Sequence, residues 1–534
     1  MLSCDADMDP GSGATFLHAD GDSCAYIQKL TASRELMWAK VLNSSDYIDI
    51  SDMTTDDTGN LLITGTFRGS VDFDLDPFAE YILNPTQLNN HVYTAKYDSL
   101  GNFKWVTSTE SFLSYGIFGR SIKLDANNNI YIGGHFGGEA HFNGTTVSET
   151  LYSSMVSYDA FIEKMTPAGD HLWARSLGAG FLDSLCSLGI DKAGYLYCVG
   201  TYQGVVDIDP GPGNTTFGGT GNGDAFIVKM DGDANVIWAK HLESISTASV
   251  VSRLSNLKLN IDTADNLLIC GAFNGFVDFN PSPAALDTTI LQAGSLTPGE
   301  IGSAFVLKLD QNGNLIWVNQ VNGAAHAYDI KTDAFLNVYV TGAYAWAGGA
   351  DFDPGPAEYY IPPIGGDDPK GYMQKLTPDG HLAWVAGIGC PATGFIRPQC
   401  IQLLDTNDIV IGGHFIGTGD FAPDTATVYL TDNTNVHGFI ARYKYNWPAI
   451  VTPGSVEDVT AHTSIYPNPT TGTLNIFSRN TMDKITVSDV LGRCVYSSQP
   501  GKAYETLILD QPGLYLVTIA IGGRSFSYKV LVNK

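Results

Sequence analysis

The chain is short of the residues on which most site chemistry and most membrane spans depend. It has 8 cysteines in 534 residues, too few for a disulfide scaffold. No Cys-x-x-Cys pair and no Cys/His cluster stands at zinc spacing. No apolar run approaches the roughly 18 residues of a membrane helix. The opening MLSCDADMDPG carries neither a basic n-region nor an apolar h-region. Lys and Arg total 29 against 56 Asp and Glu, a formal net charge of −27. Such a surface repels phosphate, so nucleic acid and anionic membranes are poor partners. His-Glu-x-x-His, Gly-x-Ser-x-Gly and a phosphate-cradling loop are all missing, and no catalytic residue is named.

What is abundant is glycine, 58 residues, with a generous aromatic share; both suit short strands and tight turns. One phrase recurs through the chain: GTFRGSVDFDLDP from Gly65, GTYQGVVDIDPGPG from Gly200, GAFNGFVDFNPSP from Gly271 and GAYAWAGGADFDPG from Gly342. GHFGGEAHFNG from Gly134 and GHFIGTGDFAPD from Gly413 are weaker copies, and DMDPGSG from Asp7 is a clipped one. A second phrase, of the type AFIVKMD, places a basic residue at Lys29, Lys96, Lys164, Lys229, Lys308, Lys375 and Arg442. A tryptophan follows at Trp38, Trp105, Trp173, Trp238, Trp317 and Trp384. A period of about 65 to 80 residues marks an array built from one supersecondary unit.

Each unit reads as four strands. Alternating Val, Ile, Tyr and Phe supply the strands, and Asp-x-x-Gly-Asn turns supply the left-handed positions that hairpins need. A twisted four-stranded sheet with no helix between copies cannot bury both faces alone. Radial stacking buries them, so the expected fold is an all-β β-propeller over residues 1–444. The third strand appears seven times and the opening hairpin six times, near Asp56, Asp125, Asp191, Asp262, Asp333 and Asp405. Seven blades fit if the first has lost its opening hairpin; a six-bladed ring mixing strands from both ends is the alternative. The tryptophans read as blade-to-blade packing residues with a locally satisfied N–H. The repeated lysines lie along the blade with their heads at solvent or on a carboxylate, the alternative being a ring of cations lining the channel.

Residues 445–462 lose the repeat and read as a linker. Residues 463–534 show short alternating strands between Asn-Pro, Leu-Gly-Arg and Pro-Gly turns, the pattern of a small Ig-like β-sandwich. Within them, Tyr466-Pro467-Asn468-Pro469, Gly472, the turn ending Gly492-Arg493, Gly513-Leu-Tyr515 and the closing stretch from Lys529 resemble the C-terminal sorting domain of the type IX secretion system of Bacteroidota. The units in turn resemble bacterial β-propeller repeats. The tail resemblance implies handling by the type IX secretion machinery and a secreted or outer-surface location. Cargo of that system carries a signal peptide, so the native start is expected upstream of Met1, together with the missing strand pair.

Chemistry is sought first in the acidic phrases. Carboxylates on alternate residues of an extended chain point the same way, and calcium prefers such oxygens. The candidates are Asp72 with Asp74, Asp207 with Asp209, and Asp351 with Asp353. No Glu continues them as EF-hand loops, and the competing reading is a turn capped by Asp and forced by Pro-Gly. No other cofactor is expected. Cys390 and Cys400 bracket one loop and could bridge. Cys186 and Cys198 flank a predicted hairpin, and the competing reading for these, Cys270 and Cys494 is small buried apolar side chains. His135, His414, His171 and His381 stand at repeat-equivalent places and read as structural. Tyr344, Trp346, Tyr359 and Tyr360 read as loop-core packing or as sugar-stacking rings. The expectation is a non-enzymatic propeller that binds an extracellular protein or glycan. The alternative is a propeller glycan hydrolase or lyase.

Overall fold

The computed structural model describes the chain except residues 1–5, 10–12, 19–22, 77, 86–87, 113–114, 154–156, 179, 212, 220–222, 248–249, 283–286, 294–301, 346–348, 356–357, 362–367, 392, 406–407, 424–426, 445–462, 467–471, 479–480, 490–492, 503, 522–523 and 533–534. Among the described residues there is no helix, and every strand pairing is antiparallel apart from one isolated bridge, Tyr158 to Leu182. The chain divides into two compact units, Met1–Asn446 and Trp447–Lys534. The larger is all-β and propeller-like, built from many small sheets.

The third strands of its repeats are Ser23–Leu30, His91–Tyr97, Asp159–Met165, Asp224–Met230, Ser303–Leu309 and Lys370–Leu376, with a seventh inside Tyr429–Lys444. Repeats are numbered one to seven after them. First and second strands are Asp52–Thr55 with Leu61–Arg68, Ile117–Leu124 with Ile130–Phe136, Ser184–Ile190 with Leu196–Tyr202, Arg253–Ile261 with Leu267–Asn274, Ala325–Thr332 with Val338–Tyr344, and Gly394–Asp405 with Asp408–Asp420. They belong to repeats two to seven. Fourth strands, from Leu36–Ser44 to Leu382–Ile388, complete repeats one to six.

Turn chemistry explains why these hairpins form. Asp98 Oδ1 accepts from the N–H of Leu100 at 2.9 Å and of Asn102 at 3.0 Å, while Oδ2 accepts from Asn102 Nδ2 at 2.9 Å. Asp56, Asp125, Asp262 and Asp333 do the same in the first turns. The Asn102 N–H and side chain hold the Asp98 carboxyl down to about 2. Gly101 takes φ +80, and the indole of Trp38 lies over it.

The core lies between consecutive sheets rather than inside any one. Tyr197, Val199 and Ile227 of repeat four pack with Leu254, Ile269 and Phe305 of repeat five. Equivalent clusters join repeats one to two, two to three and three to four. The tryptophans bridge these gaps, and the N–H groups of Trp38, Trp238 and Trp317 are satisfied across them rather than locally. Trp38 donates to Ser99 O at 3.3 Å, Trp238 to Gln311 O at 3.2 Å and Trp317 to Pro378 O at 3.0 Å, each in the next repeat's turn. The basic residues run beside them. Lys96 meets Asp56 at 2.9 Å in its own first turn and donates across to Pro167 O at 3.4 Å. Lys29, Lys164 and Lys308 likewise reach Ser99 O, Gly232 O and Pro378 O. These cations therefore lock turn to turn and form no lining ring. Arg442 of repeat seven makes the same cross-repeat bond to Ala32 O of repeat one.

In repeats two, three, five and six the acidic hairpin between second and third strands extends the sheet of the preceding repeat, whereas in repeat four Val205–Asp207 and Thr216–Gly218 form a two-stranded sheet of their own. Val71–Asp72 of repeat two pairs with Leu36–Ser44 of repeat one, Glu139–Asn143 with Phe103–Ser111, Phe276–Asp278 with Val236–Ile245, and Ala350–Asp351 with Leu315–Gly323.

In the smaller unit, Thr463–Tyr466, Thr473–Ser478 and Tyr504–Ile508 form one sheet. Cys494–Ser498, Lys484–Asp489, Gly513–Ile521 and Arg524–Val532 form the other. Leu474, Ile476 and Leu507 from the first face Ile485, Val517, Ile519 and Val530 from the second across one core.

Candidate functional site

The first strands of repeats two to seven lie side by side, each the inner edge of its sheet. An edge strand has outward N–H groups without a ladder partner, and here the preceding repeat supplies them. Asp52 Oδ2 accepts from Ile122 N at 3.0 Å and from Ser121 Oγ at 3.1 Å. Ser121 Oγ accepts from Leu188 N at 3.2 Å, Ser187 Oγ from Leu259 N at 3.2 Å, and Asp329 Oδ2 from Ile401 N at 2.9 Å. Each acceptor after the first follows a β-bulge, between Gly119 and Ser121, Leu185 and Ser187, and Ala327 and Asp329. A bulge re-aims the side chain beyond it. The result is a polar belt joining neighbouring first strands.

Cations gather on this belt although the chain as a whole is strongly acidic. Lys123 meets Asp52 at 2.9 Å and Lys331 meets Asp329 at 3.0 Å, while Lys258 occupies the belt position in repeat five. The opening halves of the same strands add Arg120, Arg253 and Arg397. Aromatic rings stand among them. Phe118 stacks on His135 with centroids 4.9 Å apart, His326 lies 5.9 Å from Tyr328, and the Arg397 guanidinium sits 4.9 Å from the Phe395 ring. Phe395 in turn lies 5.6 Å from His414. Burial, with Arg120 nearby, pushes His135 down to about 3. Burial, then Arg397, also lowers His326 and His414. These imidazoles are neutral at neutral pH, so the positive charge belongs to the guanidinium and ammonium groups. Planar guanidiniums between rings suit carboxylate groups carried on a flat apolar surface.

The residues singled out from sequence lie elsewhere. The three Asp pairs open the acidic hairpins at the outer sheet edges. Asp72 Oδ1 accepts from Asp74 N at 3.0 Å and Tyr81 N at 2.8 Å. Asp207 Oδ1 accepts from Asp209 N at 3.1 Å and Thr215 N at 3.0 Å, and Asp351 Oδ1 from Asp353 N at 3.0 Å and Tyr359 N at 2.8 Å. The second carboxylates cap the next turn: Asp74 onto Asp76 N, Asp209 onto Gly211 N, Asp353 onto Gly355 N. Among the described residues, no three His, Cys, Asp or Glu side chains gather as a metal site requires.

Cys390 and Cys400 are free thiols. Their sulfurs turn to different carbonyls of the strand Asp408–Asp420: Ile416 O at 3.5 Å and Gly412 O at 3.7 Å. Cys186 and Cys198 do not face each other, because one packs on the core toward repeat five and the other in the core toward repeat three. Cys494 is exposed rather than buried. His171 is buried, with Nδ1 2.9 Å from Glu163 Oε1. Tyr344 is buried against Phe352 and Tyr372, whereas Tyr360 is exposed; Trp346 lies outside the described residues.

In the tail, Tyr466 ends a strand, Gly472 precedes one, Gly513 opens one and Lys529 lies within the last. Tyr515 is buried and donates to Gln511 O at 2.9 Å, and Arg493 donates to Asp489 at 2.7 Å. Pro467, Asn468, Pro469 and Gly492, with the linker 445–462, lie outside the described residues.

Comparison with known proteins agrees with the tail's architecture. Residues 464–533 match the secretion system C-terminal sorting domain. The chain is therefore cargo of the type IX machinery of Bacteroidota, secreted or held at the cell surface. Among the described residues no helix is long and apolar enough to cross a membrane. An uncharacterized WD repeat-containing protein of Acanthamoeba polyphaga mimivirus is 25% identical over 480 residues. That alignment covers 78% of this chain and 34% of the relative, so the chain spans about a third of the length of the curated relative it matches. Among solved structures, a protein of unknown function from Bacteroides caccae is 11% identical with a TM-score of 0.24, covering 64% of this chain and 89% of its own. PorZ, an essential surface component of the type IX secretion system of Porphyromonas gingivalis, is 11% identical with a TM-score of 0.16, covering 97% and 85%.

Proposed function

We propose that residues 1–444 are a seven-bladed β-propeller that holds an acidic extracellular glycan at one mouth of its axial channel, without transforming it. Residues 463–534 are then an Ig-like sandwich that delivers it through the secretion machinery, joined by the linker 445–462. The observation that carries the binding reading is the presence of Arg120, Arg253 and Arg397 with Phe118, Tyr328 and Phe395 on the first strands of repeats three, five, six and seven of a chain with net charge −27. Guanidiniums pair with uronate carboxylates in bidentate fashion, and rings cover sugar faces. Seven blades rather than six are favoured because the cross-repeat bonds of Lys29, Lys96, Lys164 and Lys308 have an equivalent from Arg442 to Ala32. The strand complement of repeats one and seven is then two and three inner strands, left in separate sheets.

Titration calorimetry of the full chain with alginate and hyaluronan oligosaccharides tests this reading. Saturable, salt-sensitive binding is expected, weakened at least tenfold by Arg253→Ala with Arg397→Ala, and laminarin should not bind. Equal binding of laminarin, or no effect of the arginine changes, would refute it. Release of reducing ends or unsaturated products would replace it with a hydrolase or lyase.

A further inference from the structure

Between repeats two and seven the belt of first strands is interrupted once. Its positions are Asp52, Ser121, Ser187, Lys258, Asp329 and Cys400, each paired across its hairpin with the residue just before the second-strand glycine. Asp52, Ser121, Ser187 and Asp329 each offer an oxygen to an N–H of the next first strand. Lys258 has no acceptor to offer, since an ammonium only donates. The matching N–H, that of Ile330, turns instead to Oδ1 of the adjoining Asp329 at 2.9 Å. A cation at an acceptor's position does nothing to join the strands of repeats five and six.

The surroundings of Lys258 are those of an unpaired charge. It is half-buried, and among the described residues its ammonium has neither a hydrogen bond nor an ion pair. Lys123 and Lys331, two residues beyond the belt in repeats three and six, already meet Asp52 and Asp329. Over these two rows of side chains three ammonium groups share two carboxylates. The Lys258 charge is also felt in three other repeats. Burial pushes the Asp52 carboxyl up, but Lys123 and, more weakly, Lys258 help to hold it below its ordinary value. Burial raises the Cys186 thiol, which Arg120 and Lys258 pull back. Burial, then Asp329, raises the Cys400 thiol, which Lys331 and Lys258 pull back. Coulomb interactions of this kind fade within several ångströms of water, so a charge felt from repeats two, four and seven faces a space they share.

We propose that Lys258 anchors an oxyanion site at the inner sheet edges, taking one sulfate, phosphate or carboxylate group, with Lys123 and Lys331 as flanking cations. Ammonium groups are compact charges with three donors each, suited to an oxygen-bearing anion approached from several sides. Asp52 and Asp329 each neutralise one lysine, which limits the site to a single anion. The site is separate from the arginine-lined mouth and holds a free ion whether or not a sugar is bound there.

Calorimetry of the full chain at low ionic strength, with inorganic sulfate and inorganic phosphate as probes, tests the proposal. One saturable site with a dissociation constant below about 10 mM is expected. Lys258→Gln should weaken it at least tenfold without lowering the melting temperature, and Lys258→Arg should retain it. Cys400 reports occupancy, because its thiol is exposed and feels Lys258 and Lys331. A bound anion that offsets these cations should slow its alkylation by iodoacetamide, read by peptide mass spectrometry, while the exposed Cys494 of the other unit reacts unchanged. No saturable binding up to about 10 mM would overturn the proposal. So would unchanged binding in Lys258→Gln, or equal slowing at Cys494. A chondroitin sulfate tetrasaccharide distinguishes the source of the anion. If it too slows Cys400, and Arg253→Ala with Arg397→Ala removes that effect but not the effect of inorganic sulfate, the oxyanion arrives on a glycan. Slowing by the inorganic ions alone assigns the site to a free ion. Sulfate binding that persists where alginate fails to bind would sink the glycan reading and leave this site standing.

Discussion

Gly342→Ala should be among the most damaging single-methyl additions this chain can receive. A Cβ at that position would stand 1.9 Å from His326 O, 2.9 Å from His326 C and 2.8 Å from Tyr372 Cε1. The tyrosine is 0% exposed and cannot swing away, and the other obstacle is backbone. Relief therefore requires the first and second strands of repeat six to part around Gly342. Opening two ladder bonds costs about 2 kcal/mol at roughly 1 kcal/mol each. Overpacking of a close-packed interior adds about 1 to 3 kcal/mol, so about 3 to 5 kcal/mol is the expected loss. Urea unfolding of the full chain, followed by tryptophan fluorescence, measures it. The control is Gly218→Ala, where a Cβ meets nothing within 4 Å; its change should stay within about 0.5 kcal/mol. If Gly342→Ala loses less than about 1 kcal/mol, or matches the control, the aromatic-over-glycine account of the repeated phrase is wrong.

Other outcomes follow from the charged groups. Asp159 is buried, its Oδ1 has no hydrogen-bond partner among the described residues, and burial pushes its carboxyl up to about 6. The folded state then holds a proton more tightly than the unfolded chain, so stability falls as pH rises from about 4 to 6. Asp159→Asn should raise stability by about 2 kcal/mol at pH 7.5 and by nothing near pH 4, a contrast read from melting temperatures. Asp98 behaves oppositely, because its carboxyl is held down to about 2. Its contribution is present above about pH 4 and lost as pH falls toward 2, so Asp98→Asn should flatten that part of an acid-unfolding curve. Calcium should leave the melting temperature unchanged, because the Asp351 and Asp353 Oδ1 atoms already cap backbone N–H groups. A rise with calcium that disappears in Asp351→Asn with Asp353→Asn would assign a cation there.

The third strands were legible because one short stretch carries their whole signature, an aromatic two residues before an apolar-lysine pair, as in Phe226 to Lys229. The Asp-led turns were legible for the same reason: Asp98 and Asn102 lie within five residues of each other. What escaped notice depends on which copy of a repeated element a side chain meets. A periodic sequence cannot tell whether the hairpin at Val71 joins its own sheet or the preceding one. Nor can it tell that Trp317 reaches Pro378, 61 residues on. The first-strand cations were hidden differently. Lys123 and Lys331 stand two residues before their turn aspartates but Lys258 stands four before its own, and the bulges that align them with Asp52 and Asp329 leave no mark on composition. The stretch Arg120-Ser-Ile-Lys123 was the available signal, two cations on an otherwise apolar strand.

The borrowing of four acidic hairpins, those of repeats two, three, five and six, by the sheets before them has a consequence for how such an array can grow or shrink. None of those four repeats can be excised at the edge of its own sheet without stripping borrowed outer strand from a neighbour. A clean deletion must instead run from a point within one repeat to the matching point in the next, carrying a borrowed hairpin with it. Gene duplication is bound by the same offset frame. Proteases should meet the array as an interlinked chain in which a single nick between sheets frees nothing.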